Sequence, residues 1–124
     1  YQRCLRARTI DEVWVATDDQ RIYDAVDRRG GRAMMTRSDH PSGTDRVAEA
    51  AAAVPGDIIV NVQGDEPLID PVILDAVVKP LVENPEIVMA TPISRIETRE
   101  ALFDTSVAKI VRDKDGFALY FSRS

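Results

Sequence analysis

Residues 57–67 of this 124-residue chain, DIIVNVQGDEP, decide the predicted fold. Most of the first six are β-branched and apolar, and such a short continuous run is typical of a strand buried on both faces of a parallel sheet. The run stops at a polar cluster that contains Gln63, Asp65 and Glu66. Because open α/β sheets bind ligands at the carboxyl ends of their strands, the segment predicts a central strand that ends in functional side chains.

Predicted strands and helices alternate on both sides of this segment. Strands are predicted at 12–17, 32–36 and 87–96, and helices at 1–8, 20–29, 44–54, 70–83 and 97–104. Pro80 is expected to kink or shorten its helix. An Asp-Gly pair between the runs 107–112 and 117–121 predicts a hairpin. The order predicts an α/β fold, a mostly parallel sheet with flanking helices and an antiparallel hairpin near the C-terminus, in a single domain over 1–124.

Composition excludes several classes of protein. The net charge of −5 and the pI of about 4.8 argue against nonspecific nucleic-acid binding, which needs a basic face. The single cysteine, Cys4, forms no internal disulfide and fits a reducing compartment. His40 is the only histidine, so a His-rich metal site is excluded. No apolar run has the length of a membrane span.

Three polar loops follow three early strands of the predicted sheet. They are residues 17–19 (TDD), 37–44 (RSDHPSGT) and 63–67 (QGDEP). The carboxyl ends of parallel strands meet at one edge, so the loops are expected to share one rim of the sheet.

The 37–44 loop is rich in groups that suit a polar heterocycle. Arg37 offers a planar fork of donors, and Ser42, Thr44 and the backbone around Gly43 offer donors and acceptors to a base edge. In the alternative, Ser42 and Thr44 only cap the next helix and Arg37 is solvated. His40 is expected to be a surface or hydrogen-bonding residue, because no sequence neighbour orients it as a base.

Asp65 is the best candidate ligand for a metal ion. A carboxylate at a strand end suits Mg²⁺ held against a substrate phosphate, since Mg²⁺ keeps several waters and needs few protein ligands. Glu66 is either a second ligand or the start of a turn. Near the C-terminus, Arg123 is either a clamp for a substrate carboxylate or an exposed arginine beyond a strand.

Four segments together resemble a known family. They are 16–18 (ATD), 36–46 (TRSDHPSGTDR), 60–67 (VNVQGDEP) and 118–123 (ALYFSR). In this order and spacing they are similar to the 3-deoxy-manno-octulosonate (KDO) cytidylyltransferases, also called CMP-KDO synthetases. The resemblance implies a nucleotide-diphospho-sugar transferase fold, which is Rossmann-like. It also implies a reaction in which KDO attacks the α-phosphate of CTP with Mg²⁺ as cofactor, for lipopolysaccharide synthesis.

The resemblance also implies roles for individual residues. Those expected at the cytosine are Arg37, Ser42, Gly43 and Thr44. Asp65 is expected to hold Mg²⁺ and to act in catalysis with Gln63, which would lie between nucleotide and sugar. Tyr120 and Arg123 are expected near the sugar. The family further implies a cytoplasmic homodimer that binds CTP and KDO but neither nucleic acid nor membrane.

The chain departs from the family pattern at both ends. The family's opening strand and triphosphate-cradling loop are not among these residues, and its second acidic metal ligand lies further downstream. The chain is therefore expected to be part of a longer enzyme and to be inactive alone. Two alternatives stay open: a sialic-acid type cytidylyltransferase, and a non-catalytic α/β binding module with Asp18 and Asp19 as an acidic pocket. A dehydrogenase is disfavoured because no Gly-x-Gly-x-x-Gly follows any strand.

Overall fold

The structure is a computed structural model that describes residues 1–124. The chain forms two compact units, Tyr1–Pro92 and Ile93–Ser124, which are described one by one. The first contains a short 3-10 helix, Cys4–Arg6, followed by β1 (Trp14–Thr17), α1 (Gln20–Asp27), β2 (Arg32–Met35), α2 (Gly43–Ala52) and α3 (Pro71–Glu83). The second contains α4 (Arg99–Phe103), β3 (Lys109–Arg112) and β4 (Ala118–Ser122). The expectation of a single domain stays a prediction.

A parallel strand–helix–strand unit begins the fold, as the sequence predicts. β1 and β2 pair in parallel from Trp14 opposite Arg32 to Thr17 opposite Met35. The carboxylate of Asp19 caps α1 by accepting a hydrogen bond from the backbone N–H of Arg21. Gly30, with φ of +69°, follows the end of the helix in a left-handed conformation that glycine adopts without steric cost. β1 and β2 therefore end at one edge, where two of the polar loops begin.

Helices α2 and α3 also begin at the predicted caps. Ser42 accepts a hydrogen bond from the backbone of Asp45, and Asp70 precedes Pro71 at the first position of α3. Pro80 is predicted to kink or shorten its helix; shortening is wrong, because α3 continues to Glu83, and a kink stays a prediction. Proline removes one backbone hydrogen bond, and burial of the side chains that α3 presents to the core, such as Leu74, opposes the break.

The prediction that residues 57–62 form a strand buried on both faces is wrong. The backbone of this segment makes no hydrogen bond to another backbone group, so it pairs with no strand. Val60 and Val62 pack against the core cluster of Cys4, Ala7 and Leu74, whereas Ile59 is 49% exposed. One face is thus covered and the other is not. A strand requires a ladder partner, and a local apolar run does not supply one.

Two further local predictions need correction. Residues 87–96 form no strand, and their only backbone hydrogen bond closes a turn from Ile87 to Asn84. The helix expected at 1–8 is reduced to the single 3-10 turn at Cys4–Arg6. The first of these segments lacks a paired neighbour, and the second is too short to be stable as a helix without one.

The second unit contains the predicted hairpin and the predicted short helix. β3 and β4 pair antiparallel, with Ile110 opposite Phe121 and an irregularity beside Arg112. The carboxylate of Asp113 accepts the backbone N–H groups of Asp115 and Phe117, and Gly116 has φ of +96°. The fold is therefore α/β, with a parallel sheet, flanking helices and an antiparallel hairpin near the C-terminus, as predicted. None of its helices combines the length and the hydropathy needed to cross a membrane.

Candidate functional site

The 37–44 loop joins β2 to α2, and Arg46 of α2 holds its first residues. Nη1 of Arg46 donates to the hydroxyl of Thr36 at 2.6 Å and to the carbonyl of Arg37 at 3.1 Å. Nη2 donates to Oδ2 of Asp18 at 2.8 Å. The Arg46 side chain is largely buried, so this ion pair is shielded from solvent more than a surface pair is. It joins the loop after β1 to the loop after β2, which confirms that these two loops share a rim.

Glu49, one turn further along α2, holds the middle of the same loop. Its carboxylate contacts Nε2 of His40, whose side chain is only 5% exposed. It also accepts the backbone N–H of Arg37 at 3.3 Å. His40 is thus a hydrogen-bonding residue, as predicted, but the premise that nothing orients it is wrong, because its partner comes from a helix nine residues further along the chain. The hydrogen bond from His40, with smaller contributions from Arg37, lowers the pKa of Glu49 and favours its ionised form.

The guanidinium of Arg37 lies at the surface of the loop. Its Nε is 3.4 Å from Glu49, and its Nη1 is 3.7 Å from Asp39. With a side chain that is 68% exposed, Arg37 keeps donors facing solvent. The end of the guanidinium is therefore available to a ligand while Glu49 holds its Nε, as the base-binding prediction requires.

Ser42 and Thr44 have partners within the protein. The hydroxyl of Ser42 both caps α2 and donates to the carboxylate of Asp45. Oγ1 of Thr44 accepts a hydrogen bond from Nδ2 of Asn61 at 3.3 Å. The capping alternative is therefore observed for Ser42, and it is compatible with base contacts through the remaining lone pairs and backbone N–H groups.

Gln63 packs against Gly43 and joins the third loop to the other two. A Cβ atom built on Gly43 would lie 2.6 Å from Oε1 of Gln63, closer than real Cβ contacts come. On its other side, Nε2 of Gln63 donates to Oδ1 of Asn61 at 2.7 Å. The side chain of Gln63 therefore occupies the space that a larger residue at position 43 would need. Gln63 is held beside the start of α2. All three polar loops meet at this rim, as predicted.

Asp65 is exposed, and its carboxylate accepts no hydrogen bond from the protein. Its oxygens are hard donors that stand free for a cation, and Glu66 follows it directly. No group of three or more His, Cys, Asp or Glu side chains comes together around Asp65 or anywhere else in the chain. The residues present therefore fit partial ligation of Mg²⁺, with one or two protein carboxylates and the remaining ligands from water and phosphate.

Tyr120 and Arg123 belong to the second unit and are described within it. Tyr120 lies on β4 opposite Val111 and is 62% exposed. The Arg123 guanidinium donates to the carbonyl of Ser106 at 2.7 Å, and the Arg123 carbonyl accepts a hydrogen bond from the buried Lys109. Arg123 is thus an ordered arginine, and its role as a carboxylate clamp stays a prediction.

Asn61 and Glu49 are the site residues that the sequence reasoning missed. Asn61 bridges Thr44 and Gln63, two residues already singled out. In the sequence, Asn61 stands out as the one polar residue inside the apolar run 58–62. Glu49 was recognisable as a charged residue beside the apolar face of an Ala-rich helix, three positions after Arg46.

Comparison with known proteins decides the family. The family model described as cytidylyltransferase matches residues 1–124. The chain belongs to the cytidylyltransferase family. Two relatives are each named 3-deoxy-manno-octulosonate cytidylyltransferase. The protein of Geobacter sulfurreducens is 54% identical over 100% of this chain and 50% of its own length. That of Solibacter usitatus is 51% identical over 99% of this chain and 49% of its own length.

The fold of the chain is also similar to that of a solved structure. It is described as CMP:2-keto-3-deoxy-manno-octonic acid synthetase complexed with CTP. It is 43% identical, matches with a TM-score of 0.87, and covers 100% of this chain and 51% of that one. This cytidylyltransferase chain therefore spans about half the length of the curated relatives it matches.

Proposed function

We propose that the protein transfers the cytidylyl group of CTP to KDO, giving CMP-KDO and pyrophosphate for lipopolysaccharide synthesis. The observation that carries the proposal is the fit of the whole chain, at a TM-score of 0.87, to a synthetase described with CTP. The meeting of Gln63 with Gly43, at the end of the loop that begins with Arg37, also supports the proposal, because it brings the predicted base-binding and catalytic residues to one rim.

The bond changes in the proposed reaction are simple. The anomeric hydroxyl of KDO forms a new O–P bond at the α-phosphate, the bridging bond to the β-phosphate breaks, and pyrophosphate leaves. The hydroxyl proton is released as the bond forms. Since the protein does little covalent chemistry in such a transfer, its work is positioning and electrostatic stabilisation.

Each site residue has a part in this proposal. Arg37, with the start of α2 at Ser42, Gly43 and Thr44, binds the cytosine. Gln63 lies between nucleotide and sugar, where Asn61 and Gly43 fix its side chain. Tyr120 and Arg123 contribute to the sugar site.

Mg²⁺ is the proposed metal, and Asp65 is its proposed ligand, with Glu66 as a candidate second one. When bound, the metal neutralises charge on the phosphates. Asp65 follows the apolar run in a turn, which the backbone N–H of Glu66 closes by donating to the carbonyl of Gln63 at 3.2 Å. The proposal also includes a cytoplasmic location and a homodimer, both of which rest on the family resemblance. Light scattering tests the second.

Pyrophosphate release tests the proposal on the protein expressed from its complete gene. CTP, KDO and Mg²⁺ together should give turnover that is lost when KDO is omitted. Replacing CTP by ATP tests the base, and replacing KDO by a sialic acid tests the rival sugar. Turnover with sialic acid but not with KDO would overturn the substrate assignment, and failure to bind CTP would favour the non-catalytic module.

A further inference from the structure

We propose that Glu49 is a positioning residue that, through His40 and Arg37, holds the 37–44 loop in its nucleotide-binding conformation. The inference rests on the proposed function, because it takes the ligand of this loop to be CTP. Glu49 is assigned no contact with the base. Its effect on binding would come from the shape of the loop.

The first observation is the burial of His40. Its side chain is 5% exposed, and its one hydrogen-bond partner is the carboxylate of Glu49. A buried ring nitrogen that loses its partner has no water to replace it, so the ring would be driven out of its place. The position of His40, three residues beyond Arg37, is therefore tied to Glu49.

The second observation is that the same carboxylate holds Arg37. Oε1 accepts the Arg37 backbone N–H at 3.3 Å, and Oε2 lies 3.4 Å from Nε of the guanidinium. One side chain thus fixes the loop at its first residue and at its middle. Loop ordering before ligand arrival removes an entropic cost from binding, which is how preorganisation raises affinity.

The third observation concerns the charges around the loop. Asp39 lies 3.7 Å from Nη1 of Arg37 and is an alternative partner for this guanidinium. Glu49, on α2, competes with Asp39 for the Arg37 guanidinium through a charge-assisted contact. The hydrogen bond from His40 lowers the pKa of Glu49 and so favours the ionised carboxylate that this contact needs. Without Glu49, Arg37 would be free to turn towards Asp39 and away from a base.

Steady-state kinetics on the protein expressed from its complete gene test the proposal. Glu49→Ala should raise the KM for CTP about tenfold while kcat stays within about threefold, because tenfold corresponds to about 1.4 kcal/mol, the order of one or two hydrogen bonds. His40→Ala should raise the same KM. Glu49→Gln keeps an acceptor for the Arg37 amide but loses the charge, so its KM for CTP should lie between those of the wild type and of Glu49→Ala.

Glu83→Ala is the matched control. Glu83 is an exposed helical glutamate paired with Lys79 on α3, and its removal should leave the KM for CTP unchanged. A purely structural role for Glu49 would reduce the folded fraction, which lowers apparent kcat and leaves KM alone. Thermal unfolding of each variant measures that fraction separately.

Every result bears on the proposal. A KM for CTP within twofold of wild type in Glu49→Ala and in His40→Ala would overturn it. If Glu49→Ala fails to fold, His40→Ala decides, and failure of both to fold would assign the pair to the support of the fold instead. Wild-type protein that shows no CTP-dependent turnover would overturn the proposed function, and this inference with it.

Discussion

The packing of Gln63 against Gly43 yields the sharpest prediction, and the perturbation is Gly43→Ala. A Cβ at this position would lie 2.6 Å from Oε1 of Gln63. The amide must therefore move by about 0.8 Å to reach ordinary van der Waals contact. The φ of Gly43 is not in the left-handed region, so alanine fits the backbone of α2 without strain.

The substitution should change stability little and lower activity strongly. The displaced atom is the end of a flexible, exposed side chain. Alanine at a compatible backbone position gains about 0.4–1 kcal/mol over glycine by restricting the unfolded chain, which offsets the weakened bond to Asn61. The free energy of unfolding should change by less than about 1 kcal/mol. A shift of this size at a group that orients reactants is expected to lower kcat/KM by about 10- to 100-fold.

The assay measures pyrophosphate release and thermal unfolding on the same preparations, with Gly56→Ala as the control. The nearest atom to a Cβ at Gly56 would be Cδ1 of Ile59 at 3.6 Å, which is an ordinary contact. Wild-type kcat/KM in Gly43→Ala would contradict the proposed role of Gln63, since Gln63 would then tolerate displacement. A large loss of stability would refute it too, because the glycine would then be a requirement of the fold.

Three further perturbations test other parts of the structure. Arg37→Ala should raise the KM for CTP by about one to two decades through loss of charge-assisted hydrogen bonds worth roughly 1.5–3 kcal/mol, and an unchanged KM in folded protein contradicts the base assignment. Asp65→Asn should abolish turnover, or demand far more Mg²⁺, without loss of the fold; normal Mg²⁺ titration would make Asp65 a turn residue only. The pKa of Asp75 is lowered, chiefly by the Thr9 backbone N–H and then by the Thr9 hydroxyl, so its stabilising effect should be present above its usual pKa of 3.8 and be lost as pH falls through the lowered folded value. The free energy of unfolding of Asp75→Asn, measured with denaturant, should therefore be lower than that of the wild type at neutral pH and equal to it in acid. A difference in the free energy of unfolding that persists in strong acid would contradict this account.

Features that depend on near neighbours in the chain are predictable from the amino-acid sequence. The helix caps at Asp19, Ser42 and Asp70 each bond a backbone N–H two or three residues away. The Asp-Gly turn of the hairpin is equally local. Such interactions close within one turn of chain, so residue type and spacing are enough to predict them. The family motifs gave the candidate residues of the site in the same way.

The pairing of segments and the contacts between distant side chains depend on the tertiary structure. The apolar run at 57–62 has the composition of a central strand, yet its backbone is unpaired, because a ladder needs a partner at a distance in sequence. His40 acquires its orienting carboxylate from α2, and Gly43 meets Gln63 twenty positions later. Contacts between segments depend on how loops close and faces pack, and no local pattern of residues encodes the partner.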